Sequence, residues 1–167
     1  MLDFLYNPQG RVSRKGYFVA FFLPYLALTQ ILPMGFAGTP LSFVFSLISL
    51  FYLWPSVGAV PIKRFHDMGL TGWYQAGVVG LTILAAIIVT QGVMSEGGDR
   101  IFEAETPAEQ QDIMFEVISS SGRAQLGLAL AFLVNLAQFV LFVSVKGQAG
   151  PNKYGNDPLA EGRGYAD

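Results

Sequence analysis

Residues 16–62 read GYFVAFFLPYLALTQILPMGFAGTPLSFVFSLISLFYLWPSVGAVPI, 47 consecutive positions without a charged side chain, bounded by Lys15 and Lys63. One bilayer crossing needs about 20 apolar residues. The stretch therefore holds two spans and a tight turn. Gly38-Thr39-Pro40 supplies the turn, because Gly permits unusual backbone angles and Pro cannot continue a helix. The spans are expected at 17–36 and 41–60, the second stopped by Pro61. Two further apolar runs, 73–94 and 124–145, give four spans in all.

Composition agrees. Of 167 residues, 52% are hydrophobic and 13% charged, against about 25% charged in soluble domains. Mean hydropathy is +0.45. One soluble core of this size could not bury so many apolar side chains, and disorder requires the opposite composition. Cysteine is absent and His66 is the single histidine, which removes disulfides, thiolate nucleophiles and multi-histidine metal sites. A net charge of -2 argues against a nucleic-acid partner. The expected class is an all-α integral membrane four-helix bundle, one domain over residues 1–167, with neither metal nor cofactor. No internal repeat is evident.

Charge sets the orientation. Eight of the ten Lys and Arg residues, namely Arg11, Arg14, Lys15, Lys63, Arg64, Lys146, Lys153 and Arg163, fall in the N-terminal segment, the loop between spans two and three, and the tail 146–167. Arg100 and Arg123 fall in the loop 95–123, which also carries Glu96, Asp99, Glu103, Glu105, Glu109, Asp112 and Glu116. Short basic loops stay cytoplasmic, so both termini are expected in the cytoplasm and 95–123 outside. The first apolar run is longer than a signal peptide's and lacks a small-residue cleavage motif, so it is expected to remain as a span.

Local features read mainly as structure. Ser13 is placed to cap the first helix, and Pro24 and Pro33 should bend it. Asn135 and Gln138 share a helical face with Gly127 and Ala131, and Gly72, Ala76 and Gly80 make a second small-residue stripe. Small residues admit close helix approach and amides bond across it, so both stripes are expected at helix contacts, with the two amides facing the interior. A polar substrate path is the alternative, but coupled transport usually needs an ionisable group within a span. Trp73 and Tyr74 read as interface anchors. In the outer loop, Thr106-Pro107-Ala108-Glu109 is a capping pattern with proline at the first helical position. Ile113, Met114, Val117 and Ile118 then share one face of a short amphipathic helix.

Three polar segments flank the span ends: Gly10-Arg11-Val12-Ser13-Arg14-Lys15; Lys63-Arg64-Phe65-His66-Asp67-Met68-Gly69-Leu70-Thr71-Gly72-Trp73; and Gly150-Pro151-Asn152-Lys153-Tyr154-Gly155-Asn156-Asp157-Pro158. In order and spacing they resemble a bacterial inner-membrane family known as domain of unknown function 805. Its members look like G-R-x-S-R, then R-x-H-D-x-G-x-x-G-W, then G-x-N-x-Y-G-x-D-P. The resemblance covers roughly residues 8 to 158 and implies a bacterial inner-membrane protein of four helices. It brings no assigned activity and no catalytic residues. The 29-residue outer loop looks longer than is usual there.

The residues themselves argue against an enzyme. His66 and Asp67 are neighbours and point about 100° apart on a helix, so they cannot orient one another as a triad pair does. No nucleophile sits in a recognisable elbow. The expectation is a non-enzymatic module whose cytoplasmic face binds an anionic phospholipid, another phosphate ligand, or a membrane-protein partner or second copy. An oligomeric transporter or channel is the alternative, and an embedded enzyme ranks below both. The three segments should converge, with Arg11, Arg14, Arg64 and Lys153 around Asp67 and Asp157, Arg64 pairing Asp157, and His66, Asn152 and Tyr154 completing hydrogen bonds. Such a cluster is either a polar clasp or a seat for a phosphate.

Overall fold

The computed structural model describes residues 2–160, Gly162 and residues 165–166; Arg163 lies outside the described residues. The regular structure of the described residues is helical apart from one two-residue antiparallel pairing, β1 (Arg11–Val12) with β2 (Tyr165–Ala166), and an isolated bridge between Asn152 and Gly155. A short α1 (Leu2–Tyr6) is followed by α2 (Gly16–Gly35), α3 (Leu41–Asp67), α4 (Trp73–Glu103), α5 (Pro107–Ser120) and α6 (Gly122–Ser144). Four of these, α2, α3, α4 and α6, are long and apolar enough to cross a membrane. Their apolar side chains mostly face outward: Met34 is 81% exposed and Leu50 67%. Surfaces of this kind mark contact with a partner or a membrane, and the length of the four helices favours the membrane.

α3 does not end at Pro61. It runs six residues further, to Asp67. The reason is a wide π-helical turn at Pro55–Ala59, closed by Val60 N–H donating to the Pro55 carbonyl five residues back. Proline clashes with the carbonyl four residues behind it, and an extra residue in the preceding turn relieves that clash. α2 treats its internal prolines in the same way. Leu23 N–H reaches Phe18 O just before Pro24, and Leu32 N–H reaches Ala27 O just before Pro33. α4 likewise continues past residue 94, to Glu103.

Two compact units divide the chain. The first comprises Met1–Ala76 and Phe139–Asp167. Its core joins Phe4, Leu5, Val12, Tyr17, Phe21, Tyr52, Val60, Phe65 and Phe142. Phe142 is met edge-on by Tyr17 at 5.0 Å and Phe65 at 4.9 Å between ring centroids, the favoured aromatic arrangement.

The second unit, Gly77–Gln138, packs Val93, Ile101, Val117 and Ala124 together, with Val89, Ile113 and Ile118 against them. Gly127 lies on this seam: a Cβ there would sit 2.8 Å from the Ala85 carbonyl. On the same face, Asn135 Nδ2 donates to Ala131 O at 2.8 Å and to Thr82 Oγ1 at 3.4 Å, although Asn135 itself is exposed. Gln138 is half-buried. The other expected stripe is not a contact at Gly80, where no described atom lies within 4 Å of a Cβ position. The close approaches on α4 fall instead at Gly92 and Gly97, against Ala124 and Val117.

Helix α5 begins as its sequence dictates. Thr106 Oγ1 accepts from Glu109 N–H at 3.2 Å, and Glu109 Oε2 accepts from Glu105 N–H at 3.0 Å, one residue behind the usual capping-box donor. Thr106→Ala should cost about 1 kcal/mol of local stability. Amide exchange across 107–120 should then run roughly fivefold faster; unchanged rates would contradict the cap.

Candidate functional site: a buried polar clasp and its cationic rim

The three polar segments meet within the first unit, around Asp67. β1 supplies Arg11, the last turn of α3 supplies Arg64, His66 and Asp67, and the tail supplies its backbone. Asp67 ends α3 because Gly69 follows with φ +77, a left-handed position that closes helices and favours glycine.

Both oxygens of Asp67 are taken. Arg11 donates from Nε at 3.2 Å and from Nη2 at 3.0 Å to Oδ1, and Arg64 Nη1 donates to Oδ2 at 2.6 Å. All three side chains are buried, Arg11 and Arg64 at 0% exposure. The remaining guanidinium donors reach backbone carbonyls: Arg11 those of Gly150 and Gln148, Arg64 those of Phe142 and Val145. Arg14 Nη1 donates to Ser144 O at 3.1 Å. Arg64 and Arg14 thereby cap the C-terminal end of α6, where helix carbonyls lack partners and the dipole favours cations. Buried charges demand such complete satisfaction, and among the described residues no buried side-chain nitrogen or oxygen is unpartnered.

A second layer covers this one. The His66 and Tyr154 rings stack at 3.8 Å with an interplanar angle of 4°. His66 Nδ1 lies 3.2 Å from Gly10 O, and Asn152 Nδ2 donates to His66 O at 3.0 Å. Gln148 N–H donates to Asp67 O at 2.8 Å. Gly147 lies so close to the Asp67 carboxylate that a Cβ would overlap it. Ser13 caps α2, its Oγ accepting from Gly16 N–H at 3.1 Å.

Two expected placements differ. Arg64 pairs with Asp67, three residues on along the same helix face, and not with Asp157. Asp157 instead organises its own loop, accepting from Gly150 N–H at 2.8 Å and Leu159 N–H at 2.9 Å. The Leu159 amide first, then that of Gly150, holds this carboxyl below the usual carboxylate range. Lys153 stands outside the cluster, its Nζ 4.9 Å from the Tyr154 ring centroid. Sequence reasoning also passed over Lys63, buried at 1% and donating to Asp3 O and Phe4 O at 3.3 Å. The close approach of Gly147 left no signal in its own residue type.

Beside the clasp lies a cavity of about 390 Å³, its wall including Arg14, Lys15, Lys146, Gln148, Asp67 and Asp157. Lys15 and Lys146 are exposed. A shallower groove of about 440 Å³ shares Arg14 and Lys15 and is otherwise lined by Phe18, Phe139 and Val143. Among the described residues no three His, Asp or Glu side chains are grouped to hold a metal ion.

Four helices long and apolar enough to cross a membrane, two of them tied at their C-terminal ends by a buried ionic clasp, are consistent with a membrane protein. The chain belongs to the family described as "Protein of unknown function (DUF805)", whose model matches residues 5–156. No curated protein and no solved structure is detectably similar to it.

Two outcomes follow from the clasp. Asp67→Ala strands two buried cations and should cost about 3–5 kcal/mol, read as a large fall in Tm of the detergent-extracted protein; a fall no larger than that of Lys153→Ala would contradict the assignment. Asp157 is half-buried and acts with a defined pH sense. Its folded pKa is depressed, so its contribution is complete above the ordinary carboxylate value near 4 and is lost as pH falls through the folded value. Asp157→Asn should therefore flatten the acid limb of the Tm–pH curve below about pH 4, and an unchanged limb would contradict it.

Proposed function

We propose that this is a non-enzymatic four-span protein of the bacterial inner membrane, with both termini in the cytoplasm, that holds a phosphate-bearing anion at its cytoplasmic face through Arg14, Lys15 and Lys146. The observation that carries the reading is the division among its cations. Arg11 and Arg64 are saturated by Asp67 and by carbonyls, whereas Lys15 and Lys146 are exposed on the wall of a cavity. Counting Arg11 and Arg64 behind Asp67, five cations (Arg11, Arg14, Lys15, Arg64, Lys146) stand against two carboxylates, Asp67 and Asp157. That surplus favours an anion, and basic pockets at the cytoplasmic ends of spans take phosphate headgroups. The distribution of Lys and Arg along the sequence supports the orientation.

Native mass spectrometry after gentle extraction should report a phosphorus-containing ligand with the wild-type protein. Replacing Lys15 and Lys146 by Gln should weaken it by about 2 kcal/mol, at about 1 kcal/mol per cation, a loss of roughly thirtyfold, with Tm unchanged. Undiminished retention in the double variant would refute the site. Reporter fusions at residue 110 and at the C-terminus should report opposite sides of the membrane; the same side would refute the orientation.

A further inference from the structure

We propose that the anion is an anionic phospholipid, its phosphate between Lys15 and Lys146 and one acyl chain lying along the groove of Phe18, Phe139 and Val143. The inference rests on the anion-binding reading above and narrows it from any phosphate compound to a lipid. Its basis is the pair of cavities that share one cationic edge. The polar cavity and the apolar groove both use Arg14 and Lys15. From that edge the lining changes over three residues, from Lys15 just before α2 to Phe18 within it, and from Lys146 just past the end of α6 to Val143 within it.

The groove is built rather than incidental. Phe139 is fixed by Phe22 at 4.5 Å and faces Phe18 at 6.4 Å between centroids. Arg14 ties the two walls at their polar end through Ser144 O. A soluble phosphate gains nothing from three apolar side chains, whereas an acyl chain buries against them. The polar end selects among lipids. A zwitterionic headgroup brings an ammonium against Arg14, Lys15 and Lys146; a headgroup with net negative charge does not. Because Phe18 opens one apolar helix and Val143 closes another, the junction of polar and apolar walls falls at span ends, where lipid headgroups meet chains.

The test titrates the full-length, delipidated protein in detergent by native mass spectrometry, with Tm as second readout. Four probes are used: dioleoyl-phosphatidylglycerol, dihexanoyl-phosphatidylglycerol, sn-glycerol 3-phosphate and dioleoyl-phosphatidylcholine. Dioleoyl-phosphatidylglycerol should bind at least tenfold more tightly than each of the others. Val143→Phe, which fills the groove, should remove the advantage of the long chain and leave glycerol phosphate binding as it was. The chain-length comparison on the wild-type protein decides the matter if that variant fails to fold. Equal binding of glycerol phosphate and the dioleoyl lipid would overturn the lipid proposal and leave the anion site standing. Equal binding of the two dioleoyl lipids would overturn the proposal by showing that chains alone are recognised. Binding of every probe indifferent to Lys15→Gln with Lys146→Gln would overturn the anion site as well.

Discussion

The carboxylate of Asp67, buried between two guanidinium groups, is the constraint on which the first unit depends. A lone ion in such a place would be too costly to keep folded. Arg11 and Arg64 remove that cost only if their other donors also find acceptors, and those acceptors are the carbonyls of Phe142, Val145, Gln148 and Gly150. One charge thus fixes where β1 lies, where α6 ends and how the segment after α6 turns. It also explains a residue that looks unremarkable: Gly147 must be glycine because the carboxylate occupies the space a Cβ would need.

Much of this was legible in the sequence, for physical reasons. A 47-residue run without charge has few readings other than two spans, and glycine beside paired charges at three span ends foretold compact loops. The pairing inside the cluster was harder to read. Arg64 and Asp67 are three apart on one helix, but that relation exists only if the helix survives Pro61. It survives because the π turn before it absorbs the proline, and nothing in residue type announces a π turn. Burial of Lys63 depended on the same continuation.

In the second unit, local chemistry was legible and helix rotation was not. Thr106 and Glu109 satisfy donors within four residues of themselves, so their spacing suffices. Gly80 belongs to a stripe as regular as that of Gly127, yet of the two only Gly127 meets a neighbour, and in the Gly80 stripe the close approach falls at Gly72, against Ile62. Small-residue spacing identifies a face that allows close approach, and which such face is used follows from the partner helix. Here Ala85, Val89 and Gly92 meet Gly127 and Ala124, one turn beyond the stripe that spacing alone selects.

The choice between Arg and Lys follows the acceptors that surround each cation: Arg11 and Arg64 are buried, Lys15 and Lys146 exposed. Arg11 and Arg64, each at 0% exposure, need several donors in fixed directions, which a planar guanidinium supplies and an ammonium does not. Lys15 and Lys146 sit exposed on the cavity wall, where a compact hydrated charge on a flexible stem suits an exchangeable anion. Lys63 tests the rule from the other side. It is buried, but its acceptors include two successive carbonyls within α1, both at 3.3 Å, a target that a point charge serves and a fork does not require. The residue type at each position follows from the number and direction of acceptors there. By that measure Arg11 and Arg64 are committed to the fold, whereas Lys15 and Lys146 stay exposed on the cavity wall.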